Sequence, residues 1–94
     1  MIDWARIEGF DWDVANVDHV GHYAVTPFEV EEVVDRAYVI IPAKIVKGES
    51  RWKLFGKTGS GRYLVVVFTV RRRLFRSVTA YAMSATEEKL CPAN

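Results

Sequence analysis

Apolar residues change their spacing along the chain, and the changes divide it into elements. Ile7-Glu8-Gly9-Phe10-Asp11-Trp12 alternates apolar with small or polar residues, which predicts a short first strand. Asp13 then stands where a helix cap is needed, and Val17 and Val20, three apart, predict a helix over 14–22 with Ala24 or Val25 extending its face. Thr26-Pro27-Phe28-Glu29 is a sharper start: threonine at the N-cap, proline in the first turn, and glutamate placed to close a capping box. That second helix is predicted to run to about Arg36, with Val30, Val33, Val34 and Ala37 inward and Glu31, Glu32 and Asp35 outward.

From Tyr38 the pattern turns to strands. Tyr38-Val39-Ile40-Ile41 is stopped by Pro42, and Lys47-Gly48-Glu49-Ser50 separates it from a strand Arg51–Gly56. Alternation there puts Trp52 and Leu54 on one face and Arg51, Lys53 and Phe55 on the other. Gly59-Ser60-Gly61 supplies a hairpin turn into the strand Arg62–Val70, and Arg71-Arg72-Arg73 forms the tip leading to Leu74–Tyr81. Ser84-Ala85-Thr86-Glu87 repeats the capping-box signature and opens a last short helix ending near Leu90. The expected architecture is α+β: one antiparallel sheet with helices packed on one side, in the order β-α-α-β-β-β-β-α.

At 94 residues the chain has room for one domain over 1–94 with one core. A domain of this size buries roughly 60–65% of the surface of its unfolded chain. Half the residues are apolar and 27% are charged, the composition of a globular protein and not of a disordered one. No segment reads as a signal peptide or a membrane span, so the expected location is the cytoplasm. Cys91, the one cysteine, excludes an intrachain disulfide and a cysteine-based metal site.

The net charge of +1 conceals a strong asymmetry. Residues 1–36 hold nine acidic side chains against Arg6 and Arg36, whereas Arg51 to Arg76 holds eight basic side chains and no acidic one. Two interpretations follow: the halves pack together and neutralise each other, or the sheet is a basic platform for phosphates. Other motifs are weaker. Gly56-Lys57-Thr58 lacks the earlier glycine of a phosphate loop, because Arg51 stands there, and it sits between strands. His19 and His22 lie three apart on the first helix without a third ligand at metal-binding spacing, so no metal or cofactor is expected. No Gly-x-Ser-x-Gly signature or Cys/His pair supports covalent hydrolase chemistry.

One combination is more specific. Phe10-Asp11-Trp12-Asp13, Asn16 and His19, Thr26-Pro27 with Glu29-Val30-Glu31-Glu32-Val33, Arg51-Trp52 with Gly56-Lys57-Thr58, Gly61-Arg62, Val66-Val67-Phe68-Thr69, Arg76, and finally Ala80 and Met83 follow one another as in the BrnT toxin family. The resemblance runs from about Ile7 to Lys89. It implies a RelE-like fold and a ribonuclease toxin of a type II toxin–antitoxin module, which cleaves RNA and so inhibits translation. It implies as partner a BrnA-like ribbon-helix-helix antitoxin, with operator DNA bound only through the complex; exposed Trp or Phe side chains offer a route to a homodimer when the antitoxin is missing. Three departures stand out. Tyr23-Ala24-Val25 replaces His-Gly-Val, Tyr81 replaces an arginine, and Ser84 to Leu90 replaces an arginine-rich helix.

Carried over by position, Arg51, Arg62 and Arg76 match basic positions of that family, and Glu49 matches more weakly. RNA cleavage without a metal needs a base near the 2′-hydroxyl, positive charge at the phosphate and a donor for the leaving oxygen. Arg62 and Arg76 suit the phosphate, because a guanidinium fork matches its oxygens. Glu49, His19 and a lysine such as Lys53 are the candidate bases, and Tyr81 either donates a proton or stacks on a nucleobase. Arg51, Lys53 and Lys57 are the candidate RNA-binding cations. Arg71 to Arg73 are expected to be solvated at a hairpin tip, and Trp12, Trp52 and Phe55 to serve the core or a partner. A catalytically weakened or inactive protein, kept as a module that binds protein or nucleic acid, is the alternative.

Overall fold

A computed structural model describes residues 3–89. A 3-10 turn at Trp4–Arg6 leads to β1 (Gly9–Phe10), α1 (Val14–Gly21) and α2 (Pro27–Asp35), then β2 (Ala37–Pro42), β3 (Trp52–Lys57), β4 (Tyr63–Arg71) and β5 (Leu74–Ala82), and last α3 (Ala85–Glu88). The α+β order matches that expected from the residue pattern. Leu90 and Cys91 lie outside the described residues.

The sheet order is β1-β5-β4-β3-β2. β2 to β5 are antiparallel neighbours, while β1 joins the outer edge of β5 in parallel through Gly9 and Phe10, opposite Leu74 and Phe75. The sheet is therefore mixed. β1 is also shorter than the alternation from Ile7 to Trp12 suggests, because Asp13 is already the cap of α1, although Asp11 still donates its backbone N–H to the Phe75 carbonyl.

All three helices begin with a reciprocal capping box: Asp13 with Asn16, Thr26 with Glu29, and Ser84 with Glu87. Such local bonding fixes the starts independently of tertiary packing. α1 and α2 both cover one face of the sheet. Val20, Val25, Val30 and Val33 meet Leu54, Leu64, Val66, Phe68, Phe75 and Ala80 in the main core. Within it the Phe68 and Phe75 rings stack at 4.2 Å, and Trp52 stacks on Phe68 at 5.7 Å. Full burial of one such side chain contributes about 2–3 kcal/mol. Ala37, expected to finish the inward face of α2, is instead exposed at the start of β2. The helix stops at Asp35, and strand alternation takes over from the helical period.

Two contacts explain residues that resemble a phosphate motif. A Cβ at Gly56 would lie 2.8 Å from Val33 Cγ1 and 3.0 Å from the Val33 carbonyl oxygen, so glycine lets α2 press onto β3. Thr58 is buried, and its hydroxyl accepts the Arg62 N–H at 3.0 Å to close the turn whose Gly61 has φ +93°. Asn16 is the other buried polar pin. Its amide donates to the Asp11 carbonyl at 2.8 Å and the Ser77 carbonyl at 3.1 Å, tying α1 to the end of β1 and to β5.

The opposite face carries Val39 and Ile41 from β2, Lys53, Phe55 and Lys57 from β3, Tyr63, Val65 and Val67 from β4, and Tyr81 from β5. Phe55, Val65 and Met83, with Tyr63 and Tyr81, form a second small cluster there. Among the described residues no helix is long and apolar enough to cross a membrane.

Candidate functional site

The candidate residues divide between two ends of the sheet. Arg62 immediately precedes β4, whereas Arg76 lies opposite Thr69 near the other end of that strand. At about 3.3 Å per residue this separates them by roughly 20 Å. One phosphate cannot be clamped by both.

Each arginine is committed to a folding contact. Arg62 Nη1 donates to the Ala24 carbonyl at 2.7 Å and to both carboxylate oxygens of Glu29 at 3.2 Å, and Nη2 donates to the Tyr23 carbonyl at 3.4 Å. It thereby fastens the α1–α2 connection, where Ala24 adopts a left-handed φ of 57°. Arg76 Nη1 lies 2.9 Å from Asp13 Oδ2 and 3.4 Å from Asp11 Oδ2. Hydrogen bonding to Arg76, then to the Asn16 backbone, holds the Asp13 carboxyl below its ordinary pKa, and the same pair raises that of Arg76. Arg73 reaches Glu8 at 3.4 Å. The acidic N-terminal third and the basic sheet do neutralise each other at Arg62, Arg73 and Arg76.

Glu49 is gripped by two arginines. Arg71 approaches one carboxylate oxygen at 2.7 Å and Arg51 the other at 3.4 Å. The bond to Arg71 is the main cause of a lowered Glu49 pKa. A carboxylate stabilised in this way is a weak proton acceptor. Arg71 at the hairpin tip is thus anchored, and Arg51 is partly neutralised.

Two other candidates, His19 and Tyr81, converge with Arg62 on a residue that the sequence marked only as a departure from the family pattern. The Tyr23 ring stacks on His19 at 6.5 Å and meets Tyr81 edge-on at 6.4 Å, and its carbonyl is the one that receives Arg62 Nη2. Tyr23 follows α1, and α1 packs on β5, so the ring reaches Tyr81 around the β5 edge. His19, His22, Asp18, Ala15 and Tyr23 line a shallow cleft of about 340 Å³. His22 Nδ1 is 3.0 Å from the Asp18 carbonyl, whereas the His19 ring stacks on Tyr23. Burial, then the nearby Glu87, pushes the Tyr81 hydroxyl pKa up, so the group stays protonated and is a weaker acid than a free tyrosine.

Lys53 and Lys57 have no ion-pair partner among the described residues. Lys57 Nζ lies 5.5 Å above the Tyr63 ring, and these two residues are opposite each other in the β3–β4 ladder. Trp52 is in the main core and Phe55 is buried in the second cluster, while Trp12 packs on the main core and donates to Glu31 at 2.9 Å. Among the described residues no three His, Cys, Asp or Glu side chains are placed to hold a metal ion. Neither protein-family models nor curated proteins give a match to this chain.

Proposed function

We propose that this chain is a BrnT-like ribonuclease toxin of a type II toxin–antitoxin module, whose RNA site is the His19–Tyr23–Tyr81 end of the sheet. The observation that carries the proposal is the meeting of His19, Tyr81 and Arg62 at Tyr23, with the unpaired Lys57 and the Tyr63 ring on the same face at the adjoining strand ends. In the proposed reaction His19 takes the proton of a ribose 2′-hydroxyl and the freed oxygen bonds to phosphorus. The bond from phosphorus to the 5′-oxygen breaks, and Tyr81 protonates that oxygen, leaving a 2′,3′-cyclic phosphate. Lys57 supplies positive charge, and Tyr23 and Tyr63 offer faces on which bases stack. A ribbon-helix-helix antitoxin is the proposed partner.

A second interpretation is favoured by a different observation. Because Arg62 and Arg76 are ion-paired and far apart, the same scaffold fits a module that binds RNA or protein without cleaving it. Purified protein incubated with total RNA in EDTA separates the two. The toxin proposal expects cyclic-phosphate ends, slowed growth on induced expression, and loss of both in His19→Ala. Binding without cleavage, at verified soluble expression and normal growth, establishes the inert module.

A further inference from the structure

β2 ends the sheet, and among the described residues no strand pairs with its outer side. The Ala43 N–H donates to the Arg51 carbonyl at 2.8 Å, so in the alternating antiparallel ladder Val39, Ile41 and Ala43 turn their backbone groups toward β3. Ile40 and Pro42 therefore turn theirs outward. Pro42 sits where a missing N–H does no harm to the sheet, and Ile40 leaves a donor and an acceptor facing solvent. Edge strands are usually protected by charge or proline; Ala37-Tyr38-Val39-Ile40-Ile41-Pro42 carries no charge, and its one proline, Pro42, stands at the strand's end beyond Ile40.

The two faces beside this edge differ in chemistry. On the helix side Trp4, Val34, Asp35, Ala37, Tyr38 and Ile40 line a groove of about 400 Å³, apolar but for the Asp35 carboxylate and the Tyr38 hydroxyl, with Trp4 40% exposed. On the other side Ile41, Lys44, Val46, Arg51, Lys53 and Val67 border a groove of about 390 Å³. Arg36 and Lys44 flank the strand, and with Lys53 they have no ion-pair partner among the described residues; Asp35 adds one opposing charge at the helix end.

We infer that β2 is a docking edge for an extended segment of another protein in which apolar and acidic residues alternate. An added strand would point alternate side chains to opposite faces, apolar ones beside Trp4 and Val34 and carboxylates beside Lys44 and Lys53. A second copy of this chain fits poorly. Reciprocal pairing centred on Ile40 sets Arg36 opposite Lys44 of the copy, and β2 offers no carboxylate to the basic groove. The inference stands apart from RNA cleavage, so an inactive protein leaves it untouched.

The test uses a fluorescent peptide of alternating valine and glutamate with the full-length protein. Expected are saturable binding that weakens as salt rises, slowed hydrogen exchange of the Ile40 amide in the complex, and about a tenfold weaker Kd in Lys44→Glu/Lys53→Glu. Circular dichroism verifies that the variant is folded, and Lys44→Glu alone, at an exposed position, should show part of the loss. An unchanged Ile40 amide, equal binding of a valine–lysine peptide, or sedimentation as a dimer that protects Ile40 without peptide would each overturn the proposal.

Discussion

Arg62 lies before β4 and Glu29 in the first turn of α2, yet one guanidinium nitrogen is 3.2 Å from both carboxylate oxygens. Glu29 is also the acid of the α2 capping box, accepting from the Thr26 N–H at 3.1 Å. A helix start, a strand start and the α1–α2 loop are therefore joined at one carboxylate. Arg62→Ala leaves the Ala24 carbonyl and Glu29 without their donor and is expected to cost about 1–3 kcal/mol, measured as a shift in the denaturant midpoint with unchanged slope. Glu29→Gln should cost less and leave Arg62 with one counter-charge fewer. RNA affinity that rises in Glu29→Gln would show that the guanidinium faces the ligand; unchanged affinity would restrict Arg62 to a structural role.

What was legible in the sequence was mostly local. Thr26-Pro27 with Glu29, Asp13, and Ser84 with Glu87 fix helix starts through bonds within four residues, and Trp52 and Leu54 declare their face by alternation alone. The strand expected over Arg62–Val70 was plain as a run of strand-forming residues after a glycine turn, and it is observed one residue later, at Tyr63–Arg71. Ion pairs between distant segments were not visible, because charge composition does not tell that Arg62 finds Glu29 while Arg76 finds Asp13. Nor was Tyr23 marked as a meeting point: a half-exposed tyrosine after a helix gives no periodic signal. The grouping of His19 with Tyr81 depends on how α1 crosses β5, which is a tertiary fact.

Low pH should loosen two places, the Glu49 contact with Arg71 and Arg51 and the Asp13 cap of α1 beside Arg76. The carboxyls of Asp13 and Glu49 are both lowered by arginine partners in the folded protein. The stability they contribute is present above their unfolded values and is lost as pH falls through the lower folded ones. Unfolding monitored from pH 6 downward should show a decline beginning below about 4.5, the ordinary glutamate value. Asp13→Asn should flatten the slope of that acid limb. Both sites are partly exposed, so added salt should reduce the effect.

Gly56 and Gly61 should respond to alanine for different reasons. At Gly56 the new methyl meets Val33 at 2.8 Å, and crowding between α2 and β3 is expected to cost about 1–3 kcal/mol. At Gly61 there is open space, but φ is +93°, so strain alone costs about 1 kcal/mol. Thermal melts of Gly56→Ala and Gly61→Ala test this order. Relief of the Gly56→Ala defect by Val33→Ala would locate the clash at that pair.

The hairpin between β4 and β5 stores strain that can be removed. Arg72 and Arg73 have φ of 52° and 66°, left-handed values that arginine adopts less readily than asparagine or glycine. Arg72→Asn with Arg73→Gly is expected to stabilise the fold by about 1 kcal/mol or more, although Arg73 loses its exposed contact with Glu8. A higher melting temperature would confirm that the turn, and not the ion pair, dominates.

Tyr81 decides whether the Tyr23 end can do chemistry. Its hydroxyl is held protonated by burial and by Glu87, while its ring packs edge-on against Tyr23 and joins the Phe55, Val65 and Met83 cluster. If it donates to the leaving 5′-oxygen, Tyr81→Phe should slow cleavage by tenfold or more, corresponding to about 1.4 kcal/mol of barrier, and leave RNA binding and folding nearly unchanged. If the ring only stacks on a base, Tyr81→Phe should cleave like the parent and Tyr81→Ala should bind RNA more weakly. Tyr81→Arg introduces the cation that the BrnT pattern has at this place; faster cleavage in that variant would show that positive charge limits the parent reaction. Equal rates for the parent, Tyr81→Phe and Tyr81→Arg, measured on total RNA with folding checked by circular dichroism, would make Tyr81 a packing residue and remove the proposed proton donor.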